Sequence, residues 1–151
     1  MNGNLTEFSN EVKAQFFESF PSLLKLEHKI VENEESAFCI EIKAPSPRAE
    51  HPLCIDTSGE EVTVSFDAYH AHFNEFIGES EYGTAFEFIN QIISGEFAVV
   101  SFWRESQWCG SSLLRKESFP INNENYPYAN KIKIRSWAGN LDLEIKCVPR
   151  N

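Results

Sequence analysis

The sequence predicts an α+β fold: an antiparallel β-sheet meander packed by two main helices, in a single domain spanning residues 1–151. Three observations carry this. Two segments, Asn4–Phe20 and Thr84–Ser94, repeat apolar residues every three or four positions behind a capping residue. At least five others alternate apolar and polar residues or form short apolar runs, as strands do. The connections are short, which favours hairpins over the long crossovers of a parallel sheet.

The first helix places Leu5, Phe8, Val12, Phe16 and Phe20 on one stripe, with Asn4 as cap, Glu7 at the third helical position and Pro21 as stop. Leu24 to Val31 and Ala37 to Lys43 then read as strands joined by the polar loop Glu32-Asn33-Glu34-Glu35-Ser36. Leu53-Cys54-Ile55 and Val62 to Phe66 flank a second hairpin loop at Asp56–Glu60, where Gly59 suits a positive backbone φ. In the second helix Thr84 and Glu87 form a capping box. Ala85, Phe88, Ile89, Ile92 and Ile93 make its buried face, and Gly95 ends it.

Phe97 to Trp103 is apolar on both faces, which places it centrally in a sheet. Trp108-Cys109-Gly110-Ser111 reads as a turn entering a strand at Ser111 to Glu117, and Asn122 to Asn130 reads as a loop. A last hairpin sets Lys131, Lys133 and Arg135 beside Asp142, Glu144 and Lys146, a mainly basic strand against a mainly acidic one.

Composition restricts the function classes. The chain holds 23 Asp and Glu against 13 Lys and Arg, a net charge of −10, yet is 42% hydrophobic, so the acidity belongs to a folded protein. Such a globule repels nucleic acid and anionic lipid and attracts basic proteins. No apolar run approaches the roughly 20 residues of a membrane-spanning helix, and the first residues lack the basic and apolar regions of an export signal. Cytoplasm is therefore the expected compartment. Cys39, Cys54, Cys109 and Cys147 form no C-x-x-C pair and are read as free, small buried hydrophobes.

Enzyme chemistry has one candidate location. His70 and His72 point to the same face of an extended strand, which suits two ligands of one metal. A catalytic zinc needs a third protein ligand, which Asp67, Glu75, His28 or His51 would have to supply, and no H-E-x-x-H motif, G-x-S-x-G elbow or glycine-rich phosphate loop is present. The expectation is no catalytic residue, no metal and no cofactor. A metal-dependent enzyme using the histidine pair, or a general acidic protein-interaction adaptor, are the alternatives.

Two segments carry a resemblance. Glu61-Val62-Thr63-Val64-Ser65-Phe66-Asp67-Ala68-Tyr69-His70-Ala71-His72-Phe73 resembles the strand and HxHF signature of small bacterial proteins encoded beside polymorphic toxins. Ile134-Arg135-Ser136-Trp137-Ala138-Gly139-Asn140-Leu141-Asp142 is similar to their SW-x-G turn and the acidic strand after it. These are the immunity proteins of contact-dependent growth inhibition and related systems. The resemblance implies a non-catalytic protein that neutralises the C-terminal domain of a cognate toxin. The acidity implies that this toxin is basic, as a nuclease is.

The expected contacts are carboxylates of two clusters, Glu75, Glu79 and Glu81 first and Glu32, Glu34 and Glu35 second. Aromatic anchors are expected at Trp103, Trp108, Tyr82 and Tyr128, in or near loops and strand ends.

Overall fold

The computed structural model describes residues 5–32, 37–78 and 83–150. Among these, α1 (Glu7–Ser19) and a 3-10 turn at Leu23–Lys25 precede β1 (His28–Glu32), β2 (Phe38–Ile42), β3 (Leu53–Ser58), β4 (Glu61–Phe66) and β5 (Tyr69–Phe73). Then follow α2 (Ala85–Ile93), β6 (Phe97–Arg104), β7 (Gln107–Arg115), a 3-10 turn at Lys116–Ser118, β8 (Lys131–Arg135) and β9 (Leu143–Lys146). The strands form two antiparallel sheets, β1-β2-β3-β4-β5 and β7-β6-β8-β9. The α+β architecture with two main helices is as the sequence predicts. No helix among the described residues is long and apolar enough to cross a membrane.

The chain divides into two compact units. The first holds α1, β1 to β4, most of β5 and the start of α2. Alternation decides which face of its sheet is buried: Phe38, Ile40 and Ile42 of β2, Leu53, Ile55 and Thr57 of β3, and Val62, Val64 and Phe66 of β4 all point inward. Helix α1 covers that face, with Phe17 edge-on to Phe38 at 6.2 Å between ring centroids. Phe16, Phe20, Phe76 and Phe86 complete an aromatic cluster. The buried Thr57 hydroxyl is satisfied by the Ser9 hydroxyl at 2.8 Å and the Phe38 N–H at 2.9 Å.

Three details of this unit differ from the sequence reading. The α1 cap is Thr6, whose hydroxyl accepts from the Ser9 N–H at 3.0 Å; Asn4 lies outside the described residues. Ser9 takes a buried place on the helix and Phe8 is only half-buried, because the helix meets Thr57 at that level. Strand β3 runs on to Ser58, leaving a two-residue turn with Gly59 at φ +59°.

The second unit is built from Pro45–Glu50, Asp67–Tyr69 and Gln91–Asn151. Strand β6 is internal, as its apolar faces require, and one face packs Ala98, Val100 and Phe102 with Ile132, Ile134 and Ala129. The Trp108–Ser111 segment is strand, not turn. The turn is one step earlier at Glu105-Ser106, where Glu105 holds φ +53°.

The charged β8–β9 pair forms as expected: Arg135 meets Glu144 at 2.7 Å and Lys131 meets it at 3.7 Å. The residues between these strands tie their own turn. The Ser136 N–H donates to Asp142 Oδ1 at 2.8 Å, the Leu141 N–H to Ser136 Oγ at 3.0 Å, and Ser46 Oγ to Asp142 Oδ2 at 3.0 Å. Ser136 and Trp137 are buried, so this segment works as framework.

Candidate protein-binding site

The β6–β7 hairpin ends in an aromatic pair. Trp103 on β6 lies opposite Trp108 on β7, next to a register shift between Phe102 and Trp103. A bulge of this kind bends the strand and re-aims its last side chains. Trp103 is half-buried and held: its Nε1–H donates to Ser101 Oγ at 2.8 Å, and the Lys133 ammonium sits 4.8 Å from its ring centroid. Lys133 is fixed in turn by Glu50 at 2.9 Å. Trp108 keeps 54% of its surface in water.

Tyr128 joins the pair from the 122–130 loop and is 48% exposed. The Arg104 guanidinium stacks 4.8 Å from its ring centroid and donates to its carbonyl at 3.3 Å. Asn130 couples loop to hairpin. Its N–H donates to the Trp103 carbonyl at 2.8 Å, and its side-chain amide exchanges hydrogen bonds with the N–H and carboxylate of Glu105 at 3.1 and 2.8 Å.

The loop is stiff for identifiable reasons. Asn123 is buried, and its two amide hydrogens are shared among the carbonyls of Pro127, Ala129 and Val148 at 3.1, 2.8 and 3.0 Å. Tyr126 packs on Phe102 with centroids 4.5 Å apart. It also lies so close to Gly110 that a β-carbon there would sit 2.5 Å from the ring, which makes glycine a requirement. Beside this tip a groove of about 750 Å³ is lined by Lys131, Lys133 and Lys146, with Glu105 and Asn130 on its rim. The groove is rich in lysine, with Lys133 paired to Glu50 and Lys131 near Glu144.

The structure thus brings Trp103, Trp108 and Tyr128 into one unit, the last two well exposed. Glu75 belongs to the other unit, where it is half-buried and its carbonyl accepts from the Ala85 N–H at 3.2 Å. Glu32 ends β1, paired in register with Phe38. Glu34, Glu35, Glu79, Glu81 and Tyr82 lie outside the described residues. His70 and His72 do share a face, their rings 5.1 Å apart, and His72 Nδ1 lies 2.6 Å from Glu61 Oε1 and 2.8 Å from Thr63 Oγ1. Among the described residues no three His, Cys, Asp or Glu side chains gather as a metal site.

Sequence reasoning missed Asn123, Asn130 and Arg104, which hold the aromatics in place. A polar loop gives no sign of which amide turns inward. It also took the cysteines for buried residues, whereas all four are only partly buried; Cys109 and Cys147 do pack against the apolar core of the second unit. Here a signal existed: Cys39 and Cys54 are out of phase with the apolar residues of their own strands.

No family model matches the chain, and no curated protein or solved structure matches it.

Proposed function

We propose that this protein is a non-catalytic immunity protein that acts in the cytoplasm, binding a cognate toxin domain and blocking its active site. The observation that carries the reading is the braced aromatic tip, where Trp108 and Tyr128 are exposed on backbone already fixed by Asn123 and Asn130. Binding gains most from a few large side chains that lose little freedom when buried, and Trp, Tyr and Arg dominate such anchors. The net charge of −10 supports a basic partner, and a nuclease fits because it holds phosphates with Lys and Arg. Neither nucleic acid nor a membrane is a direct partner in this reading. The resemblance of the 61–73 and 134–142 segments to immunity proteins points the same way.

Anchor and charge have separate tasks. Arg104, Lys131, Lys133 and Lys146 lie around the tip, so the part of the toxin meeting Trp108 and Tyr128 is apolar or acidic. The carboxylates, Glu75 among those described, attract its basic part. The test is calorimetric titration of the toxin domain encoded beside this gene, with inhibition of its activity at equimolar ratio. Trp108→Ala and Tyr128→Ala are each expected to weaken binding by about 30-fold or more, the value of an anchor worth ~2 kcal/mol. Absence of binding removes the function; full binding by both variants removes the site.

A further inference from the structure

The outer face of the five-stranded sheet carries a second chemistry. On β2 and β3 the register sets Cys39 opposite Asp56 and Glu41 opposite Cys54, so the two thiols lie on one diagonal of a four-residue square. Their sulfurs are 3.6 Å apart, and both residues are half-exposed on the face away from the apolar core. We propose that Cys39 and Cys54 are a redox modification site, a cross-strand dithiol that small-molecule disulfides convert reversibly to a protein disulfide.

The reaction balances in two exchanges. The Cys39 thiolate attacks a disulfide RSSR, forming Cys39–S–S–R and releasing RS⁻. Cys54 then loses its proton to solvent and attacks the Cys39 sulfur, which breaks the mixed disulfide and expels the second RS⁻. Two protein thiols are oxidised, one RSSR is reduced to two RSH, and no other oxidant is required.

The assignment of roles follows from the contact between the sulfurs. The hydrogen bond the two sulfurs share holds the Cys39 thiol below its ordinary pKa, and Lys29 on the neighbouring strand adds in the same direction. The same contact and burial push Cys54 up, so it waits as the resolving thiol. Diagonal cross-strand neighbours are spaced wider than a relaxed disulfide prefers, which makes the closed bond easy to reduce. Asp56 and Glu41 oppose negative charge at the site, so neutral disulfides react faster than anionic ones such as glutathione disulfide.

The experiment treats the fully reduced chain with bis(2-hydroxyethyl) disulfide at neutral pH without oxygen, alkylates the remaining thiols, and reads intact mass and mapped peptides. Loss of two hydrogens is expected, with Cys39 joined to Cys54, Cys109 and Cys147 still alkylated, and full reversal by dithiothreitol. Cys54→Ser is expected to hold a mixed disulfide at Cys39, while Cys39→Ser reacts at Cys54 at least about tenfold more slowly. Urea-unfolded chain is expected to lose this selectivity. Comparable adducts on all four cysteines of the folded protein, or a stable adduct at Cys39 without closure, overturns the proposal.

Discussion

One buried residue shows how a single side chain sets the aromatic tip. Asn123 bonds the carbonyls on either side of Tyr128, those of Pro127 and Ala129, together with that of Val148, and of the three the Pro127 carbonyl also accepts from the Arg150 N–H at 2.7 Å. Asn123→Ala is expected to cost about 1–3 kcal/mol in urea unfolding, the penalty of leaving buried acceptors unpaired. It should also weaken partner binding although residue 123 is buried. Unchanged stability would show the loop held by other means.

Two carboxylates of the second unit predict opposite responses to pH. Burial pushes the Asp67 carboxyl above its ordinary value, with the Glu50 N–H at 2.9 Å opposing the shift. Its stabilising contribution is complete below about pH 4 and is lost as pH rises through the raised value. Asn at 67 keeps the acceptor for Glu50 and tolerates the positive φ of +52°. Asp67→Asn should therefore equal or exceed wild-type stability at neutral pH and lose that advantage in acid.

Glu144 has the reverse sign. The Arg135 guanidinium holds its carboxyl below the usual range, so its contribution is present at neutral pH and lost as pH falls through the lowered value. Its side chain is 47% exposed, which discounts the pair, while Arg135 is buried and without it is left with the Coulombic attraction of Asp67. Glu144→Gln is expected to cost about 1 kcal/mol at neutral pH. Thermal unfolding of both variants from pH 3 to 8 checks the two signs together.

At the scale of elements, what was legible in the sequence is what period and capping encode. Strand β6 was identifiable as internal because Phe97 to Trp103 has no polar face, and α2 because Thr84, Glu87 and Gly95 bound an apolar stripe. The structure bears this out: the Glu87 N–H donates to Thr84 Oγ1 at 3.3 Å and Gly95 holds φ +82°. Thr84→Ala should then cost about 1 kcal/mol, read as a shift in the urea midpoint. A shift indistinguishable from zero would mean that burial of Ala85, Ile89 and Ile92 alone fixes the helix start.

Boundaries and partners were not legible, because they depend on residues distant in sequence. Thr6 caps α1 where Asn4 was an equally good candidate, and Trp108 lies in a strand because β6 is there to pair with it. The aromatic part of the candidate site was readable in residue type, from Trp103, Trp108 and Tyr128. Its support was not, since Asn130 reaches Glu105 across 25 positions of chain. The dithiol likewise needed the β2–β3 register, which one alternating strand cannot supply.

At the scale of the whole molecule, charge and anchor predict separable kinetic effects on partner binding. A net charge of −10 acts over distances set by the Debye length, about 8 Å at physiological salt, and under the proposed function would speed encounter with a basic partner before any side chain is buried. Under the same proposal the aromatic tip acts only after docking, when Trp108 and Tyr128 leave water. Reversing charge in the acidic clusters, beginning with Glu75→Lys, should therefore lower the association rate and flatten its dependence on salt, with little change in dissociation. Trp108→Ala should do the opposite, raising the dissociation rate while the association rate and its salt slope stay near wild type. Lys133→Glu provides an internal control, since it adds negative charge to the whole while removing the cation stacked on Trp103. It should speed association with a basic partner yet shorten the life of the complex. Stopped-flow association and dissociation at low and high salt separate these outcomes. If Trp108→Ala slowed association as much as charge reversal did, the tip would be part of the encounter and the division of labour between charge and anchor would fail.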